Sequence, residues 1–180
     1  MNPRVLYEGA FLRLEVERVE LPNGNRIELE IVHHPGAAAV VPFLDAERIL
    51  MLRQYRHAAG GYLWEIPAGK LEPGEDPLEC ARRELEEETG YRTGRIERVG
   101  SLLTTPGFSD ERIHLFFAWE LEAGASAHEA AEVISVHEVD VDEALARIDR
   151  GEIVDGKTLA ALYHVARRRA SGFRSLSSGG

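Results

Sequence analysis

The stretch Gly69–Tyr91, GKLEPGEDPLECARRELEEETGY, decides how the rest of the chain is read. Most of it carries the marks of a helix. Asp76 stands at the N-cap, Pro77 at the first helical position, and Glu79, three residues past the cap, completes a capping-box pattern. Leu78, Ala81 and Leu85 form an apolar stripe, and Gly90 supplies the C-terminal stop. Glu84, Glu87 and Glu88 stand at i, i+3 and i+4, so three carboxylates leave one side of the helix. Like charges at that spacing cost roughly 0.2–0.5 kcal/mol per pair on an exposed face. The penalty is small enough that these residues read equally as a solvated acidic face or as a site that gathers a cation.

Working outward, the N-terminal side reads as strands. Phe11, Leu14, Val16, Val19 and Leu21 roughly alternate, Pro22-Asn23-Gly24-Asn25 is turn chemistry, and Ile27, Leu29 and Ile31 alternate with glutamates, which predicts a hairpin. Ala37 to Phe43 is a continuous apolar run, as a strand covered on both faces would be. Arg48 to Tyr55 predicts another strand, and a loop at Gly60-Gly61 leads into Leu63–Gly69. Downstream, Ile96–Leu103 and Ile113–Leu121 read as strands flanking the loop Thr104–Glu111. Glu122–Glu132 reads as a polar loop before a strand near Val133–Val139. Asp142 is expected to cap a helix ended by Gly151, and Thr158 to cap a last helix. This order of elements predicts an α+β or α/β/α sandwich with a mixed sheet.

Composition bounds the function. A chain of 180 residues fits one domain. A net charge of -10 argues against nucleic acid as a partner, and the one basic run, Arg167-Arg168-Arg169, reads as a helix C-terminus favoured by the macrodipole. No apolar run approaches the roughly 18 residues of a membrane span, and the N-terminus lacks the apolar core of a secretory signal. The single cysteine, Cys80, excludes an intramolecular disulfide, so a cytoplasmic protein is expected. Cys80 has no partners for nucleophilic chemistry, and His33, His34, His57, His114 and His137 show no metal-ligand spacing, so these read as structural or surface residues. The chain has only two lysines, Lys70 and Lys157.

In order and spacing, Gly69, Glu75, Arg83, Glu84, Leu85, Glu87, Glu88 and Gly90 follow G-x5-E-x7-R-E-U-x-E-E-x-G-U, where U is apolar. This region resembles the Nudix hydrolase family, whose signature that is; Tyr91 departs from the usual aliphatic last position. The likeness runs from about Phe11 to about Leu162. It implies a Nudix-type α/β/α sandwich over 36–170, preceded by an N-terminal antiparallel β segment over 1–35 that serves dimerisation and substrate binding. Residues 171–180 are expected to be a disordered tail. By resemblance, Glu84 and Glu88 are principal ligands of Mg2+ (Mn2+ or another divalent cation substituting), Glu87 assists, and the Ala68 carbonyl completes the set. The metal would neutralise a diphosphate and ready water as a nucleophile. Glu75 and Arg83 are expected to pair and position the loop, with Gly69 and Gly90 structural.

Several stretches are similar to the ADP-ribose pyrophosphatase branch. Arg53-Gln54-Tyr55-Arg56 implies a substrate-binding Arg56, suited to phosphate through its guanidinium fork. Trp64-Glu65 and the loop containing Pro106, Gly107, Phe108 and Glu111 are implied to contact substrate, although Trp64 also reads as a core aromatic. The branch's catalytic glutamate falls on Glu132, with Glu129 the alternative. The expected reaction is hydrolysis of ADP-ribose to AMP and ribose 5-phosphate by a homodimer. Hydrolysis of another sugar nucleotide such as GDP-mannose, or nucleotide binding without catalysis, stays open.

Overall fold

The computed structural model describes residues 3–124 and 133–171. In chain order its elements are β1 (Arg4–Glu8), β2 (Arg13–Glu20), β3 (Arg26–His33), β4 (Ala37–Pro42), β5 (Arg48–Arg56), β6 (Gly61–Glu65), β7 (Ala68–Lys70), α1 (Pro77–Thr89), β8 (Tyr91–Leu103), β9 (Arg112–Ala123), β10 (Ile134–Asp140), α2 (Val141–Asp149) and α3 (Gly156–Ala170). The apolar run after Gly36 becomes β4, and every one of its residues is buried. Alternation along the strand sends Ala38 and Val40 to one side, against Cys80, Ala81 and Leu85 of α1. Ala37, Ala39 and Val41 face the other side, where Ala161, Leu162 and Val165 of α3 and Val141 and Ala144 of α2 complete a second core. Strand β9 divides in the same way: Phe116 and Ala118 face α1, while Leu115 and Phe117 face α3. Helices therefore cover both faces of a central sheet.

That sheet has the order β7-β4-β9-β8. Its β4–β9 pair is parallel and its other pairs are antiparallel, so it is mixed as the sequence predicts. A second sheet, β10-β5-β6, is antiparallel and joins the first through a bridge between Phe43 and Ile49. The predicted hairpin forms as β2–β3 with Pro22–Asn25 at its turn, and β1 adds a third strand that the residue pattern does not reveal. All five residues of β1 are exposed, so no buried face imposed alternation on it.

Two helix starts differ from expectation. The N-cap of α2 is Asp140, without a side-chain cap bond, and Asp142 lies inside the first turn. Asp155, not Thr158, caps α3: its carboxylate accepts from the Thr158 N–H at 3.0 Å and the Thr158 hydroxyl at 2.6 Å. Thr158 is fully buried and its Oγ1 accepts from the Ile66 N–H at 3.1 Å, fixing α3 to the segment after β6. Strand β8 begins at Tyr91, five residues before the predicted start. The expected disorder at the C-terminus concerns residues outside those described from 172 onward.

Candidate active site

Helix α1 starts as predicted. The Asp76 carboxylate accepts from the Leu78 N–H at 2.8 Å, Pro77 occupies the first turn, and Gly90 ends the helix at φ 75° with its N–H bonded to the Glu86 carbonyl. The cap bond is local to Asp76; the Glu79 carboxylate lies 3.9 Å from Arg82. Burial of Cys80, Ala81 and Leu85 fixes the helix rotation, and Glu84 and Glu88, one turn apart on the flank of that buried face, line a cavity together with Glu87 and the β7 residues Ala68, Gly69 and Lys70. Glu88 is only 3% exposed and accepts from the Ala68 N–H at 2.8 Å. Glu84 packs so closely on Gly69 that an added Cβ there would lie 1.8 Å from its Oε1. That contact is why this position has no side chain.

Arg83 ties the loop to the helix. It donates from Nε and Nη2 to the two oxygens of Glu75 at 2.9 and 3.0 Å, and from Nη2 to the Lys70 carbonyl at 3.1 Å. The expected Glu75–Arg83 pair is therefore present, and the guanidinium holds the Glu75 carboxyl below its ordinary range. Arg83 Nη1 also lies 2.6 Å from Glu84 Oε1 and 3.1 Å from Glu87 Oε2. Positive charge is thus already drawn to the glutamates where a cation is expected, and carboxylate oxygens are the donors that Mg2+ or Mn2+ prefer. The donor chemistry of these side chains suits such an ion. The three carboxylates share one cavity wall without converging on one point: among the described residues, the one His/Cys/Asp/Glu group with three ligand atoms all within 4.8 Å is Glu15, Glu17 and His33. Arg83 and the Ala68 N–H hold the glutamates in this arrangement.

A second network orients Arg56, at the end of β5. Its Nε and Nη2 donate to the two oxygens of Glu65 at 2.9 and 2.8 Å, and Lys157 Nζ reaches Glu65 Oε2 at 2.6 Å. Burial alone would raise the Glu65 carboxyl, but the Arg56 hydrogen bonds and the Lys157 charge outweigh it and hold it below its ordinary range. Glu65 therefore stays charged and points two cations.

These elements enclose a cavity of about 640 Å³ whose lining includes Ala68, Gly69, Arg83, Glu84, Glu87 and Glu88 together with Arg56, Glu111 and Lys157. The volume lies within the roughly 300–1,000 Å³ of small-molecule sites. Thr104 Oγ1 donates to Glu111 at 2.8 Å across the loop that precedes β9. The expected substrate residues Trp64, Glu65, Pro106, Gly107 and Phe108 do not line the cavity. Trp64 is half-buried and packs against the main core, with the guanidinium carbons of Arg53 and Arg147 5.3 and 4.2 Å from its ring. Glu65 works through Arg56. Phe108 is exposed, while its carbonyl accepts from the Val32 N–H at 2.8 Å and ties the loop to β3. Glu75 and Gly90 brace α1 from outside the cavity. Glu129 and Glu132 lie outside the described residues.

Sequence reasoning missed Phe11, His34, Lys70, Asp155 and Lys157, which also line the cavity. A signal was present for two of them: the only lysines of an arginine-rich chain both end up there. Cys80 is buried, and desolvation pushes its thiol up to about 12, away from the thiolate that nucleophilic chemistry needs.

Residues 33–162 match the NUDIX domain family. The chain belongs to that family. Among Nudix relatives, the methanol dehydrogenase activator of Bacillus methanolicus is 43% identical, over 92% of this chain and 90% of its own length. The ADP-ribose pyrophosphatase of Bacillus subtilis (strain 168) is 41% identical over the same shares of the two chains. A solved structure described as an ADP compounds hydrolase superposes with a TM-score of 0.79, covering 96% of this chain and 97% of the other at 20% identity, a likeness of fold. Among the described residues no helix is long and apolar enough to cross a membrane.

Proposed function

We propose that this Nudix chain hydrolyses the diphosphate bond of ADP-ribose to AMP and ribose 5-phosphate. The observation that carries this reading is one cavity lined both by the α1 glutamates and by Arg56, Lys70 and Lys157. A diphosphate needs both: fixed cations for its oxygens and carboxylates for the divalent ion that accompanies it. The nucleotide-sugar assignment is supported by the B. subtilis relative, whose name is ADP-ribose pyrophosphatase.

In this reading Arg56 grips phosphate oxygens, held in place by Glu65, while Lys157 adds a second charge from the first turn of α3. Glu84, Glu87 and Glu88, with the Ala68 carbonyl, would hold Mg2+ or Mn2+. When bound, the ion neutralises the diphosphate and makes water more acidic. Glu132, or Glu129, takes the proton of the attacking water, and Glu111 orients the substrate from the opposite wall. The protein acts in the cytoplasm as a homodimer, formed through the N-terminal sheet, which exposes Val5, Leu6, Tyr7 and Ile27.

The test is turnover of ADP-ribose against a panel of other nucleoside diphosphate sugars, GDP-mannose included, for wild type and Glu88→Gln. ADP-ribose is expected to give the highest kcat/KM, and the variant to lose on the order of 10²-fold or more in kcat. Near-native rates in Glu88→Gln at saturating Mg2+ would remove the metal assignment. Preference for GDP-mannose would change the substrate and leave the chemistry. Tight nucleotide binding with no turnover under Mg2+ or Mn2+ would make the chain a binding module.

A further inference from the structure

Away from the α1 glutamates, the register of β2 against β3 assembles another set of ligating side chains. Glu15 and Glu17 are two apart on β2 and share a face, and His33 ends the neighbouring strand opposite Arg13. His33 Nδ1 lies 2.6 Å from Asp110 Oδ2, and the other Asp110 oxygen accepts from the His34 N–H at 2.8 Å. A carboxylate in that position accepts a hydrogen bond from the Nδ1–H and orients the ring, so an ion entering the cluster would replace the Nε2 proton that faces the carboxylates. Nε2 faces Glu17 Oε1 at 3.0 Å and Glu15 Oε2 at 3.4 Å. Glu15 is only 3% exposed. Neither its Oε1 nor His33 Nε2, both shielded from solvent, has a hydrogen bond of good geometry, although Arg13 forms an ion pair with Oε1.

We propose that Glu15, Glu17 and His33 form a second cation site, for a transition-metal ion of the Zn2+ class, oriented by Asp110. Three observations agree on it. The three ligand atoms lie within 4.8 Å of one another. Atoms held about 2.0–2.1 Å from one tetrahedral ion stand about 3.4 Å apart, close to the spacing of Nε2 from the two carboxylates. Charge agrees as well: Glu15, Glu17 and Asp110 carry three negative charges and Arg13 one positive, so a divalent ion beside a neutral imidazole makes the cluster neutral. The mixed nitrogen and oxygen donors differ from the all-oxygen set on α1, which suits Mg2+. The ion would link the N-terminal sheet to Asp110 and so to its neighbour Glu111 on the cavity wall. It is a structural brace for that wall.

The test uses full-length protein stripped with a chelator and dialysed. Zn2+ is titrated calorimetrically, and Co2+ by its visible absorption, into wild type, Glu84→Gln/Glu88→Gln, His33→Gln, Glu17→Gln and Asp110→Asn. The double variant, which lacks the α1 carboxylates, is expected to keep one tight Zn2+ equivalent. His33→Gln and Glu17→Gln are expected to lose it, and Asp110→Asn to weaken it about 10–100-fold. Crystals of wild type soaked in Zn2+ should show an anomalous peak between β2 and β3. The proposal is overturned if the double variant binds no Zn2+, which would mean the cluster is a protonated imidazole clamped by carboxylates. It is overturned equally if His33→Gln and Glu17→Gln bind as wild type does. Because binding is read directly, the result is independent of whether ADP-ribose is the substrate.

Discussion

At Gly69 a methyl group would sit 1.8 Å from a carboxylate oxygen of Glu84. The clash is with the far end of a flexible side chain, so Gly69→Ala should move Glu84 rather than unfold the chain. The expected outcome is a fall of on the order of 10²-fold in kcat with a melting temperature within a few degrees of wild type, checked by steady-state kinetics and calorimetry. Glu65 is the opposite case, a residue whose loss reaches stability. Its side chain is 2% exposed and pairs with Arg56 and Lys157. Removing one partner of a buried pair costs about 3–5 kcal/mol, and because Arg56 is 41% exposed the cost of Glu65→Ala should fall at or below the lower end. The folded carboxyl is held below its ordinary value. Its contribution is therefore complete above the unfolded pKa of about 4.3 and is lost as pH falls through the lower folded value. Denaturant melts from pH 7 to pH 3 should show wild type losing more stability below about pH 4 than Glu65→Gln. Glu75 and Arg83 were legible as a pair because both are fixed positions of the signature that carries the family resemblance. The sequence could not show that Glu65 serves Arg56, since that contact needs β5 and β6 in register.

Among the elements, helices α1 and α3 carry the site, and each is pinned by an aspartate at its start. Asp76 makes one cap bond, to the Leu78 N–H. Asp155 accepts from two Thr158 donors and also lies 3.1 Å from Lys157 Nζ. Asp76→Ala should cost about 1 kcal/mol, a drop of roughly 2–4 °C in melting temperature. Asp155→Ala should cost more and also raise KM for the diphosphate, because Lys157 loses its anchor; thermal melts and kinetics together check this. The start of α1 was legible because cap, proline and stop glycine are consecutive in sequence. The start of α3 was misplaced by three residues because Thr158 resembles a cap, whereas burial against Ile66 turns its hydroxyl inward. Strand β4 was legible for a different reason: a short unbroken apolar run bounded by turn residues is what a strand covered on both faces requires, and both its faces are buried.

For the whole molecule, the sheet β1-β2-β3 stands apart from the two sheets of the main body, yet delivers Phe11 and His34 to the cavity. Deleting residues 1–35 should convert the proposed homodimer to a monomer and lower kcat/KM for ADP-ribose by at least 10-fold, read by analytical ultracentrifugation and initial rates. A fully active monomer would refute the role given to this segment. The sequence alone determined the family, the mixed sandwich and the glutamate-bearing helix, because each is written in short-range spacing: i, i+3, i+4 carboxylates, alternating strands and consecutive cap residues. Only the tertiary structure decided that Trp64 is packed between arginines, that both lysines line the cavity of the α1 glutamates, and that His33 meets Glu15, Glu17 and Asp110. Those contacts join residues up to 83 positions apart, as Trp64 and Arg147 are, and their partners are chosen by strand register and core packing, which no local pattern of side chains encodes.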